Sequence, residues 1–167
     1  MSGVSISVTI QDRAVQEAFR TLAFRMGNTQ PVMAAIGTEL VASTHMRFVT
    51  QTDPEGNAWQ ALNTAYAATK RNTRILTESG RLRDSINAQA GQDEVRVGTN
   101  VIYARVHQEG ATIVPKDASA LVFFIGGDLI KAKSVTLPAR PYLGISAEDE
   151  TSVAEIVFSF VERYLPR

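Results

Sequence analysis

The chain has 167 residues, of which 44% are hydrophobic and 20% charged, with seventeen basic residues balancing seventeen acidic ones and no cysteine. That length can bury one substantial core. The charge balance removes any bulk pull toward nucleic acid or anionic lipid, and the missing thiols exclude disulfides, thiolate metal sites and a cysteine nucleophile.

The N-terminus lacks the basic-then-apolar layout of a signal peptide, and no apolar run approaches the ~20 residues that span a bilayer, so the expectation is a soluble chain used in the cytosol. Val4, Ile6, Val8 and Ile10 alternate with small polar residues, which is a period-two strand. Asp12 is placed to cap a helix carrying Val15, Ala18, Phe19, Leu22 and Met26, and Gly27-Asn28 closes it. Pro31 suits the first turn of a second helix that runs to about Thr50. Its inward row is Met33, Ile36, Leu40, Thr44 and Phe48, with Gly37 permitting close packing.

Thr52-Asp53-Pro54-Glu55-Gly56-Asn57 reverses the chain, and Trp59 is expected to pin that loop to the core. A short helix is expected from Thr64 to Arg71 on its alanines, and a further helical turn or two from Arg81 to Ile86. Residues 87–90 and 94–98 flank Gly91-Gln92-Asp93 as a hairpin. Asn100 is expected to cap a short helix in which Tyr103, Val106 and His107 share a face and which Gly110 ends. A brief strand over residues 111–114 follows, and Pro115 stops it.

A second hairpin is more strongly marked. Val122-Phe123-Phe124-Ile125 is β-branched and aromatic, Gly126-Gly127-Asp128 supplies the tight loop, and the return strand is expected to run from Leu129 to Leu137. Lys131 and Lys133 on one face of it suggest a solvated or protected edge. Pro138 and Pro141 then stiffen a corner around Ala139-Arg140. Ser146 opens a final helix with Asp149 as its capping-box partner, and Val153, Ile156, Val157, Phe160, Val161 and Tyr164 form its apolar stripe. Helices cluster early and antiparallel hairpins late. The expected fold is therefore α+β: one domain over residues 1–167, an antiparallel sheet with hairpins packed against an N-terminal helical region and a C-terminal amphipathic helix, with 121–137 protruding.

Three stretches taken in order resemble the phage virion morphogenesis family, which includes tail-completion proteins of Mu-like and P2-like phages. They are Leu76-Thr77-Glu78-Ser79-Gly80-Arg81-Leu82-Arg83-Asp84-Ser85-Ile86, then Val97-Gly98-Thr99-Asn100 with Tyr103-Ala104 and His107-Gln108-Glu109-Gly110, and last Ser134 to Gly144 around Pro138-Ala139-Arg140-Pro141-Tyr142. Asp53-Pro54-Glu55-Gly56 with Trp59 and Leu62 fits the middle region of the family, so the resemblance covers about residues 53–146 and leaves the first fifty without a motif. It implies a structural protein of virion assembly, a ring-forming subunit, hexameric to match the tail tube. Such a ring completes the tail or joins it to the head, in the host cytoplasm during assembly and then at the head–tail junction or tail end. Its partners would be copies of itself, the tail tube and head-connector proteins, and it implies no cofactor, metal or catalytic residue.

The residues themselves agree on the absence of an obvious reaction centre. His45 and His107 lie on different elements, and a metal needs three or four ligands at short range. Asp53, Glu55 and Asn57 begin like a calcium loop but lack its glycine and closing glutamate. Ser79 and Ser85 have no recognisable base, and Gly126-Gly127 lacks the lysine of a phosphate loop. A small phage-encoded hydrolase and a DNA-binding accessory factor remain the alternatives. Subunit contacts are expected at Phe123, Phe124, Ile125, Leu129, Ile130, Lys131 and Lys133 of the hairpin and at Arg140 and Tyr142 of the corner, the last two being favoured interface types. Lys70, Arg71, Arg74, Arg81 and Arg83 form the one uneven charge feature, either a solvated face or a patch facing packaged DNA in a channel.

Overall fold

A computed structural model of the chain describes residues 4–8, 16, 17, 20, 24, 27–125 and 127–163. Most of the helix expected between Asp12 and Met26 lies outside these residues, as do Ile10, Gly126 and Tyr164; Gln16, Glu17, Arg20 and Phe24 are helical. Helices and antiparallel sheets are segregated as an α+β fold requires, with a helix at the C-terminal end.

Strand β1 (Val4–Val8), β2 (Asn87–Ala90) and β3 (Val95–Thr99) form a sheet in the order β1-β3-β2. Ala90 sits opposite Val95 across the β2–β3 turn, and Val4 opposite Thr99 on the other edge. Along β3, Val95, Val97 and Thr99 are buried while Arg96 is exposed, the alternation of a sheet with one covered face.

The cover is helix α1 (Gln30–Thr50), which starts with Pro31 in its first turn. Met33, Ile36, Leu40, Thr44 and Phe48 are all buried, and so are Val32, Gly37 and Arg47. Gly37 brings helix and sheet together: a Cβ there would lie 2.7 Å from the Ala88 Cβ and 2.9 Å from Val95 Cγ2. Only a residue without a side chain lets the backbones approach that far.

Helix α2 (Thr64–Thr69) is short; Asn63 Oδ1 caps it by accepting from the backbone NH groups of Ala65 and Tyr66. Helix α3 (Arg81–Asp84) and helix α4 (Ala104–Glu109) are single turns or little more. Asn100 does not cap α4: the N-cap position is Tyr103, and no side chain bonds the first turn there. Gly110 ends α4 at φ +74°, and a Cβ on it would lie 2.8 Å from Ala139 N.

The long return strand expected over Leu129–Leu137 is two strands with different partners. Strand β5 (Leu121–Ile125) pairs with β6 (Asp128–Ala132), whereas β7 (Val135–Leu137) pairs with β4 (Ala111–Ile113). Residues 114–120 on one side face only Lys133 and Ser134 on the other, so a continuous ladder is impossible, and Pro115 has no NH to extend it. The β5–β6 ribbon is therefore a separate two-stranded sheet.

Helix α5 (Ala147–Glu162) packs on α1 through half-buried Val153, Ile156, Val157 and Phe160. Its start is a complete capping box: the Ser146 hydroxyl accepts from Asp149 N at 3.1 Å, and Asp149 Oδ2 accepts from Ser146 N at 2.8 Å.

Candidate docking surface: the corner, the ribbon and the cleft

The proline corner is the most heavily braced part of the molecule. An extended, buried segment outside a sheet must find partners for its peptide groups elsewhere, and three side chains distant in sequence and one backbone carbonyl supply them. Gln108 turns its amide on the corner: Oε1 accepts from Tyr142 N and Leu143 N, both at 3.0 Å, and Nε2 donates to Leu143 O at 2.8 Å. Trp59 Nε1 donates to Pro141 O at 2.8 Å. Arg47 Nη1 donates to Tyr142 O and Gly144 O at 3.0 and 2.9 Å. Arg140 N donates to His107 O at 2.8 Å.

These contacts correct two expected interface residues. Tyr142 has no exposed surface: its ring packs 5.2 Å from that of Phe48, which meets Trp59 edge-on, and its hydroxyl donates to Ala104 O. Arg140 is buried as well, with Nε on Gln60 O at 2.8 Å and Nη2 on Ala61 O at 3.2 Å. Both are buried and bonded inside the subunit. An arginine or tyrosine beside a stiff corner reads alike in sequence whether it faces out or in; the loop that would receive it is eighty residues away.

Arg47 and Asp149 form a buried ion pair that sequence reasoning missed, joining α1 to α5. Burial by itself would raise the Asp149 carboxyl. Hydrogen bonds from the Ser146 backbone and from the Ser43 and Ser146 hydroxyls, together with the Arg47 charge, outweigh it and hold the group below its usual range. The available signal was an arginine, unexpected among the inward residues of α1, matched with an aspartate at a helix start.

His107 is half-buried against Tyr103, and its Nδ1 has no hydrogen-bond partner. Burial first, and the Arg140 charge second, push its pKa down, so the imidazole is held neutral. His45 Nε2 lies 3.0 Å from Arg83 O on another element. Among the described residues no group of three or more His, Asp or Glu is placed to hold a metal ion, and no helix is long and apolar enough to cross a membrane.

The ribbon divides the remaining expected interface residues between its two faces. Phe124, Leu129 and Lys131 lie on the outer face together with Val122, which the sequence reading passed over although period-two alternation groups it with Phe124. Val122, Phe124 and Leu129 are 57%, 70% and 52% exposed. Phe123, Ile125 and Ile130 are half-buried on the inner face, and Lys133 is exposed just past β6.

A cleft of about 1080 Å³ opens beside that inner face. It is lined by β5, by Tyr66 and Lys70 at the end of α2, by residues 76–82, and by Tyr103 and His107. Leu76 reaches it from a left-handed backbone at φ +54°, uncommon for a residue of that size. Two of the five basic residues nearby have carboxylate partners, Lys70 with Glu78 and Arg83 with Asp84. Arg71, Arg74 and Arg81 are exposed.

Fold and surface together define a small α+β domain with an exposed apolar ribbon face and a cleft beside it. The chain belongs to the phage virion morphogenesis family, whose model matches residues 10–162 and so extends beyond the motif-bearing residues 53–146, over α1 and α5. It is 26% identical over 162 residues to "Putative capsid assembly protein G" of Escherichia phage Mu, covering 92% of each chain. It is 24% identical over 148 residues to "Mu-like prophage FluMu G protein 2" of Haemophilus influenzae, covering 89% of each. No solved structure matches. The chain is thus a member of a virion assembly family, and of its motif residues Tyr142 lies in the core while Gln108 and Gly110 pack against the corner beside it.

Proposed function

We propose that the protein is a structural subunit of the phage virion that acts by binding other chains and breaks no bond. Copies associate as a ring, hexameric to match the tail tube, which completes the tail or joins it to the head. It works in the host cytoplasm during assembly and then at the tail end or head–tail junction. Family membership supports the assembly role, and a relative named for capsid assembly agrees with it. The observation that carries the binding mechanism is the outer face of the ribbon. A lone two-stranded ribbon is marginally stable in water, and this one exposes Val122, Phe124 and Leu129 side by side. Its two outer strand edges also lack ladder partners among the described strands. A neighbouring copy that covers this face supplies both apolar burial and backbone pairing.

Replacing residues 123–133 by a short turn is the direct test: a folded monomer by circular dichroism and light scattering is expected, and an unchanged oligomer removes the role of the ribbon. A second reading rests on the exposure of Arg71, Arg74 and Arg81, which leaves them able to contact packaged DNA without regard to sequence. Retention of the assembled protein on DNA that falls steeply with salt supports it, and no retention at low salt removes it.

A further inference from the structure

The net charge of zero hides a segregation. Glu148, Thr151, Glu155, Phe158 and Glu162 follow one another along α5 at steps of three and four, so they form one row, and all five are exposed, Phe158 to 68%. Helix α5 contains no lysine or arginine. Arg71 and Arg74 are exposed on the segment between α2 and α3, as is Arg81 at the start of α3, and Arg81 lines the cleft. The two surfaces are carried by different elements, both of which meet α1. Arg47 reaches α5, whereas His45 meets α3, and residues two apart on a helix are separated by about 200°.

We propose that the cleft between the ribbon and the basic segment receives the acidic row of α5 from a second copy of this chain. Phe158 enters the apolar part of the cleft, among Tyr66, Leu76, Phe123 and Ile125, and the glutamates face the basic segment, of which Arg81 lines the cleft. This is a helix laid in a groove, with charge fixing its register. Two different patches of one subunit make a heterologous contact, the kind that closes into a ring when the rotation allows. The contact rests on the reading of the protein as self-associating and specifies which surfaces meet.

The test uses the full chain, with mass measured by light scattering and sedimentation from low to high salt. One variant carries Glu155→Lys and Glu162→Lys, a second Arg71→Glu, Arg74→Glu and Arg81→Glu, and a third Phe158→Ser. Each is expected to stay folded by circular dichroism and to associate at least about tenfold more weakly, since like charges brought together across an interface repel strongly. Mixing the first two variants in equal amounts is expected to restore the oligomer, because each then offers the other an opposite charge; misfolding could not be repaired in that way. An oligomer indifferent to salt and to both reversals, or folded variants that mixing does not rescue, overturns the α5–cleft contact and leaves the ring reading standing. A wild-type chain that stays monomeric under every condition overturns both. Arginine variants that lose DNA retention while keeping their oligomer assign those residues to DNA and overturn the contact.

Discussion

Two buried residues bear the largest single-site consequences. Removing either partner of the Arg47–Asp149 pair leaves an uncompensated charge in the core, which costs about 3–5 kcal/mol. Asp149→Asn is therefore expected to lower the thermal midpoint by far more than a surface change, as calorimetry would register. The pH dependence has a definite sign. The folded-state pKa of Asp149 lies below the unfolded value, so its contribution is present above about pH 4 and is lost as the pH falls through the folded value. His107 acts in the same direction at a higher pH. Burial holds it below its ordinary value of 6.5, so stability is full above that value and declines as protons are taken up below it. His107→Phe is expected to flatten the denaturant midpoint between pH 7 and pH 5, and an unaltered slope would show that the ring does not stay neutral in the fold. Gly37→Ala inserts a methyl where 2.7 Å separates it from Ala88, an overpacking expected to cost about 1–3 kcal/mol.

Individual elements were legible to the extent that their signals are local. The inward row of α1 follows from helical spacing, and the capping box of α5 from Ser146 and Asp149 three residues apart. Ser146→Ala should cost about 1 kcal/mol in urea unfolding, and a loss several times larger would mean that the cap also positions Asp149 for Arg47. Strand partners were less legible. The apolar run after Asp128 shows extended backbone but not where pairing changes from β5 to β4, because that depends on the unequal lengths of chain inserted on the two sides. The outer face of the ribbon supports a further expectation at this scale. Phe124→Ser with Leu129→Ser should leave thermal stability within about 0.5 kcal/mol, as for surface changes in general, while weakening association; a large loss of stability would mean that these side chains pack inside the subunit.

At the scale of the whole molecule, the residues that mark the family in sequence form a brace. Gln108, Trp59 and Arg47 converge on residues 141–144 and tie α4, the loop after α1 and α1 itself to the corner, while Arg47 also holds the last helix. The surfaces proposed for docking lie elsewhere: the ribbon, the cleft and the outer row of α5. Composition, the period of apolar residues, the caps and the order of motifs were readable from the sequence by itself, because each depends on neighbours within a few positions of the chain. Which polar residues turn inward, which strands pair, and which charges face each other across the subunit were decided only by tertiary structure. Arg140 and Tyr142 owe their burial to carbonyls and rings that lie 38 to 94 residues away along the chain, and no local pattern encodes contacts at that separation.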